Sequence, residues 1–129
     1  VAEILRRLND RGAVPIGSAL MDQETLAGIG NVYKSETLFL AELSPFVAVR
    51  EVPHDKLIQV VELARKLMRR NLGPSRRTTP AGRIAAPYWV YERSGEPCLR
   101  CGARILMKRQ EPLARSTYYC PECQLPPAL

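Results

Sequence analysis

No apolar run in this 129-residue chain approaches the length needed to cross a bilayer, so no transmembrane segment is expected. No stretch reads as a signal peptide, and nothing else suggests secretion. Histidine occurs once. That residue, His54, follows Pro53 and reads as a capping or exposed group rather than a metal ligand. Acidic residues are in the minority, with 13 Asp and Glu against 19 Lys and Arg. The resulting net charge of +6 and pI near 9.5 are the electrostatic footprint of a polyanion partner, although many basic proteins bind nothing charged. Internal repeats are absent apart from one pair of short cysteine motifs. The chain opens on Val1 rather than Met, already within a helical pattern that runs to Leu8, and so reads as a piece of a larger protein.

Cysteine is missing until position 98. All four then fall close together, as Cys98 and Cys101, eighteen intervening residues, then Cys120 and Cys123. Two such pairs have the spacing of a structural zinc site. Two thiolates two residues apart can grip one ion from a tight turn, and a hairpin can bring the second turn alongside. Ala103–Arg109 reads as one strand of that hairpin and Ser116–Tyr119 as the other. Gly102 and Pro121 suit the knuckles. Two disulfides would be the plain alternative, but the cysteines are clustered and do not staple the chain as a whole. A redox CxxC is normally single and opens a helix. Four cysteines leave no open position for water or substrate, so the metal would be structural.

The first two-thirds is helical in pattern. Ile4, Leu5 and Leu8 share a face of an opening helix. A short segment follows at Pro15–Met21. Asp22 is a plausible N-cap for 23–27, and Asn31 for a helix over Val32–Leu43 with Val32, Leu38, Phe39 and Leu43 as core candidates. Ser44-Pro45 should stop that helix. Asp55 could cap Lys56–Leu72, in which Leu57, Val60, Val61, Ala64, Leu67 and Met68 recur at helical spacing. The organisation expected is a helical domain at 1–72, a linker at 73–87 and a zinc-held module at 88–129. Tyr88–Tyr91 reads as a strand leading into the module, with Trp89 and Tyr91 packing on the helical body.

Between two helical segments lies Gly28-Ile29-Gly30-Asn31. The glycines let backbone approach a ligand, and a helix N-terminus presents unpaired N–H groups to an anion. Asn31 could donate to a phosphate, and Lys34, one turn on, adds charge on nearly the same side. A plain helix–turn–helix connection with no ligand is equally compatible with these residues. No strand precedes the turn, so a dinucleotide-binding fold is disfavoured.

The run Leu20–Glu36 resembles the helix–two-turn–helix of the formamidopyrimidine-DNA glycosylase and endonuclease VIII family. Val90–Cys98 and Arg115–Gln124 resemble the zinc finger that follows it. The linker from Gly73 to Thr79 and the Pro15-Ile16-Gly17 opening look closer to the endonuclease VIII branch found in actinobacteria. The resemblance implies a mainly α fold, with a helix–two-turn–helix domain followed by a small zinc-bound β-hairpin finger. It implies one structural Zn2+ on Cys98, Cys101, Cys120 and Cys123. It places Asn31, with Gly30 and Lys34 beside it, on the DNA backbone, and Arg115 on the phosphates flanking an extruded nucleotide. The partner would be double-stranded DNA with a damaged base or abasic site. The protein would act as a monomer in the bacterial cytoplasm, on the nucleoid.

In this family the nucleophile is an N-terminal proline amine with a glutamate beside it. This chain has no such start, so binding without catalysis is expected of it alone. Gly17 falls where some relatives carry a phosphate-binding lysine, which puts that contact in doubt. Glu36 falls where the family has an acid facing the active site, and reads here as a solvated helix residue. The arginine pairs read as solvated faces, with Arg76-Arg77 able to add nonspecific phosphate contacts. The alternative is a free-standing zinc-containing module that binds nucleic acid in a regulatory or ribosomal setting.

Overall fold

The computed structural model describes residues 2–21, 30–70, 88–111 and 113–126. The linker expected at 73–87, Arg76 and Arg77 within it, the Asp22 cap, the 23–27 helix and Gly28-Ile29 lie outside these residues. Among the described residues four α-helices come first: α1 (Ala2–Asn9), α2 (Ile16–Leu20), α3 (Gly30–Leu40) and α4 (His54–Arg70). A two-stranded antiparallel hairpin follows, β1 (Leu106–Gln110) with β2 (Arg115–Tyr119). Leu106 pairs with Tyr119 and Gln110 with Arg115. Among the described residues no helix is long and apolar enough to cross a membrane.

Leu8, Ile16, Leu20, Leu38, Leu43, Leu57, Val60 and Val61 form the helical core, each at most 1% exposed. The α4 positions Leu57, Val60, Val61, Ala64 and Leu67 are buried and Met68 packs against them, as their spacing predicts. A second, smaller core joins Phe39 of α3 to Val90, Cys98, Ile105 and Cys120 of the finger. Helix α3 therefore serves both halves. Every residue from Val32 to Phe39 is buried, polar ones included.

Several expected details change. Asn31 lies inside the first turn of α3 rather than capping it, because the helix begins at Gly30. Asp55 is likewise inside α4, whose Leu57 N–H bonds to Pro53 O at 2.9 Å. There its charge favours the positive helix end. Helix α3 ends at Leu40, before Ser44-Pro45. Glu42 turns left-handed at φ +57, and the Leu43 N–H reaches back to Leu38 O at 3.0 Å. That is the chain reversal that usually falls to glycine.

The largest correction concerns Glu36 and residues 88–91. Glu36 is not solvated but fully buried. Its carboxylate accepts three consecutive backbone N–H groups, from Trp89 at 2.7 Å, Val90 at 2.8 Å and Tyr91 at 3.0 Å. A strand would point successive N–H groups to opposite sides, so three amides converging on one carboxylate preclude the strand expected at Tyr88–Tyr91. The packing expected of Trp89 does occur, with its ring stacked on Phe39 at 5.4 Å between centroids. Arg93 locks the same bend by donating to Trp89 O at 2.8 Å and Pro97 O at 2.9 Å.

Hydrogen bonds to a buried charged group are worth more than neutral ones, and orphaned amides are penalised. Glu36→Gln should cost about 3 kcal/mol. Denaturant melts should show that loss, and hydrogen exchange should show faster amides at 89–91.

Candidate metal centre and phosphate-binding ridge

The hairpin closes the four cysteines into one cluster, with all four sulfurs within 4.8 Å of one another. Cys98 and Cys123 Sγ are 3.9 Å apart, and Cys101 and Cys120 Sγ 3.5 Å. A disulfide requires about 2.05 Å, and all four cysteines are free. Tetrahedral zinc–sulfur bonds of ~2.3 Å put sulfurs roughly 3.8 Å apart, which these pairs approach. Backbone N–H groups of Arg100, Ala103 and Cys123 point at Cys98, Cys101 and Cys120 Sγ, at 3.4, 3.5 and 3.4 Å. Gly102 takes the left-handed φ of +83 that the first knuckle needs. The donor set thus fits one structural Zn2+. Burial and the neighbouring thiols push the Cys123 thiol up from its ordinary range, so a cation would favour its ionisation.

Side chains sew the finger to the helices. Gln124 accepts the Cys120 N–H at 2.8 Å and donates to Leu43 O at 3.1 Å. The Gln110 amide donates to Pro45 O at 2.9 Å and faces Thr117 Oγ1 at 3.2 Å. A Cβ at Gly17 would overlap this Gln110 amide. A side chain at this position would therefore have to displace the Gln110 amide from its bonds to Pro45 and Thr117.

Asn31 and Arg115 come together on this seam. Asn31 Nδ2 donates to Ser116 O at 2.6 Å, next to Arg115. Asn31 Oδ1 is buried without a hydrogen-bond partner among the described residues, so the side chain does not cap α3. Arg115 opens β2, is exposed, and makes no side-chain hydrogen bond or ion pair among the described residues. Gly30, exposed at φ +66, begins α3 immediately before Asn31. Asn31 and the strand that begins at Arg115 thus meet in one ridge.

Lys34 departs from expectation. Instead of standing beside the turn, it is fully buried, and its Nζ donates to Thr117 Oγ1 at 2.8 Å. Burial, with the nearby Arg115 charge adding to it, lowers its pKa to about 8. The contributions of Glu36, Gln110 and Gln124 were not legible beforehand. Single polar residues carry no periodicity, and only their partners mark them as buried.

Chelation should unfold the finger while the helical core survives, since zinc binding in such modules supplies ~10 kcal/mol of folding free energy. Metal analysis should find one zinc per chain, and chelator-treated protein should expose four reactive thiols while retaining its helical circular dichroism. Lys34 gives a pH signature. Its folded pKa lies below the ordinary 10.5, so the unfolded chain binds more protons between the two values. Lys34 therefore penalises folding fully below pH ~8, and the penalty fades as pH rises to ~10.5. Lys34→Met should stabilise by about 1 kcal/mol at pH 7 and by less at pH 10. Melts at the two pH values would show the difference.

A family model described as the formamidopyrimidine-DNA glycosylase H2TH domain matches residues 2–80, and one described as the zinc finger found in FPG and IleRS matches residues 95–125. The chain is 46% identical over 116 residues to the probable endonuclease 8 2 of Streptomyces coelicolor, covering 88% of this chain and 41% of that protein. It is 40% identical over 111 residues to the DNA-(apurinic or apyrimidinic site) lyase Nei2 of Mycolicibacterium smegmatis, covering 85% and 42%. Both come from actinobacteria, the branch that the Pro15-Ile16-Gly17 opening suggested. The Lactococcus lactis Fpg in complex with abasic-site DNA superposes with a TM-score of 0.75 at 27% identity, covering 94% of this chain and 46% of that one. The chain thus spans about two-fifths of the length of these curated relatives. With a helical body, a four-cysteine hairpin and two matching models in the same order, it belongs to the formamidopyrimidine-DNA glycosylase and endonuclease VIII family, as an H2TH domain with its zinc finger.

Proposed function

We propose that this chain is the DNA-gripping part of a DNA glycosylase with AP lyase activity. The observation that carries the proposal is the ridge in which Asn31, at the N-terminus of α3, is hydrogen-bonded to the residue beside the exposed Arg115. A helix N-terminus, a side-chain amide and a guanidinium unpaired among the described residues are three kinds of phosphate ligand set side by side. The net charge of +6 favours the same partner. The partner is duplex DNA with a damaged base or abasic site, bound by one copy of the chain in the bacterial cytoplasm. The Lactococcus relative is bound to abasic-site DNA, and the Mycolicibacterium relative bears the name of an abasic-site lyase.

The expected division of labour follows from the lengths. This segment positions the backbone and stabilises the extruded nucleotide, and base excision and strand cleavage fall to the rest of the protein. Phosphate contacts position DNA without reading its sequence. Lys34 has an indirect part, because its buried charge lies close enough to Arg115 for the two to repel. A phosphate bound at Arg115 offsets that repulsion.

A charged phosphate contact adds nearly one unit to the salt slope of binding, whereas a neutral amide adds almost none. Arg115→Ala should therefore weaken binding and flatten the slope by about one unit. Asn31→Ala should weaken binding at unchanged slope, and should loosen the finger through the lost bond to Ser116 O. Salt titrations on two unrelated duplex sequences test both. Variants that stay folded and zinc-loaded yet bind like the parent would overturn the proposal, and borohydride trapping of the parent chain on abasic DNA should give no adduct.

A further inference from the structure

Lys34 is a buried cation with no acid paired to it among the described residues. Its side chain is fully enclosed, and the hydrogen bond it makes there goes from Nζ to Thr117 Oγ1 at 2.8 Å. An ammonium has three N–H groups to place, so a single hydroxyl acceptor leaves the charge poorly compensated. Thr117 and Arg115 lie two residues apart on β2 and so share a face of the hairpin. Thr117 Oγ1 also stands 3.4 Å from Arg115 O. Lys34 thus meets the hairpin on the face that carries Arg115. Asn31, three residues earlier in α3, shares its side of the helix and holds Ser116 O between them.

The other charged groups around Lys34 are engaged elsewhere. On α3, Glu36 turns its carboxylate to the amides of 89–91. Helix α2 has no titratable residue. On β1, Lys108 lies over the Phe46 ring and Arg109 donates to Ala114 O and Ser116 Oγ. On α4, Lys56 donates to Ala41 O, and the remaining ionisable side chains whose burial is described are exposed. The charge that bears on Lys34 is Arg115, which is of the same sign. An anion at Arg115 reverses that balance, because a buried charge is weakly screened from its surroundings. Given the DNA grip proposed above, we infer that DNA binding at the ridge is coupled to protonation of Lys34, which acts through space as a second, buried cation for the phosphate held by Arg115.

Without DNA, burial and the Arg115 charge hold the Lys34 pKa at about 8. A bound phosphate favours the charged form and raises it. The complex then holds more protons than the free chain just above pH 8, so affinity falls as pH rises through that range. Arginine and ordinary lysine do not titrate there. Duplex binding by the zinc-loaded chain at pH 7 and pH 9, at fixed salt, tests the coupling. A phosphate that favours charged Lys34 by about tenfold lowers the parent's affinity about fivefold across that range. It also makes the parent take up about half a proton per complex at pH 8.5, read by calorimetry in two buffers of different ionisation heat. Lys34→Met, folded and zinc-loaded, should bind more weakly than the parent at pH 7, show no fall to pH 9 and take up no proton. Arg115→Ala, which no longer holds the phosphate beside Lys34, should lose most of the pH dependence as well. The inference is overturned if the parent's affinity is the same at both pH values, or if Lys34→Met binds like the parent at pH 7. It is also overturned if Lys34→Met is weaker by one constant factor at both pH values, which is the outcome of a merely structural role. A parent chain with no salt-dependent DNA binding at pH 7 would instead sink the DNA grip itself, and the coupling with it.

Discussion

A buried carboxylate joins the two halves of this molecule. Glu36 sits on the helix that both cores share, and the first three described amides after its aromatic neighbour Tyr88 turn toward it. A buried acid without partners would be expelled or protonated, and three buried amides without acceptors would each be penalised. Together they satisfy one another, and the geometry is strict because all three donors must converge. The position of the finger relative to α3 follows from that convergence. With the finger so placed, Phe39 can lie under Trp89 while Asn31, Lys34 and Ser35 meet β2.

The finger itself has too little apolar surface to fold by burial alone. Its own buried contribution to the smaller core is Val90, Ile105 and two cysteines, with Trp89, Ala103 and Tyr118 partly buried around them and Phe39 supplied by α3. A zinc ion on the four cysteines would supply the rest, and the glutamines fasten the finger to the helices. Gln124 binds the second knuckle to the end of α3 through Leu43 O, and Gln110 binds the hairpin to Pro45 O. So fastened, the hairpin presents Arg115 at the seam where Asn31 meets β2.

Charge is arranged with the same economy. Both arginines of α1 are spent locally, Arg6 and Arg7 each pairing with Glu3. Arg100 lies over Phe39 and meets Glu42, which covers the small core from the knuckle side. Along the ridge the balance is different. Lys34 is buried next to Arg115 without an acid paired to it among the described residues, which leaves that region electropositive. A site that repels itself when empty and is relieved by an anion is suited to phosphate.

The sequence by itself determined the zinc ligands, the helical body and the order of the two parts. Cysteine spacing is a local geometric property, and apolar recurrence at α4 reports a single buried face. Asn31 and Arg115 were singled out by the motifs around them, and the structure joins Asn31 to the neighbour of Arg115. Tertiary structure decided the rest. A polar residue inside a helix looks alike whether solvated or buried, so Glu36 and Lys34 were placed only by what packs over them. Residues 88–91 alternate like a strand, but their amides bond to a distant side chain. Gly17 is small because Gln110, far along the chain, fills the space its side chain would take. These are contacts between segments remote in sequence, and local pattern carries no record of the partner.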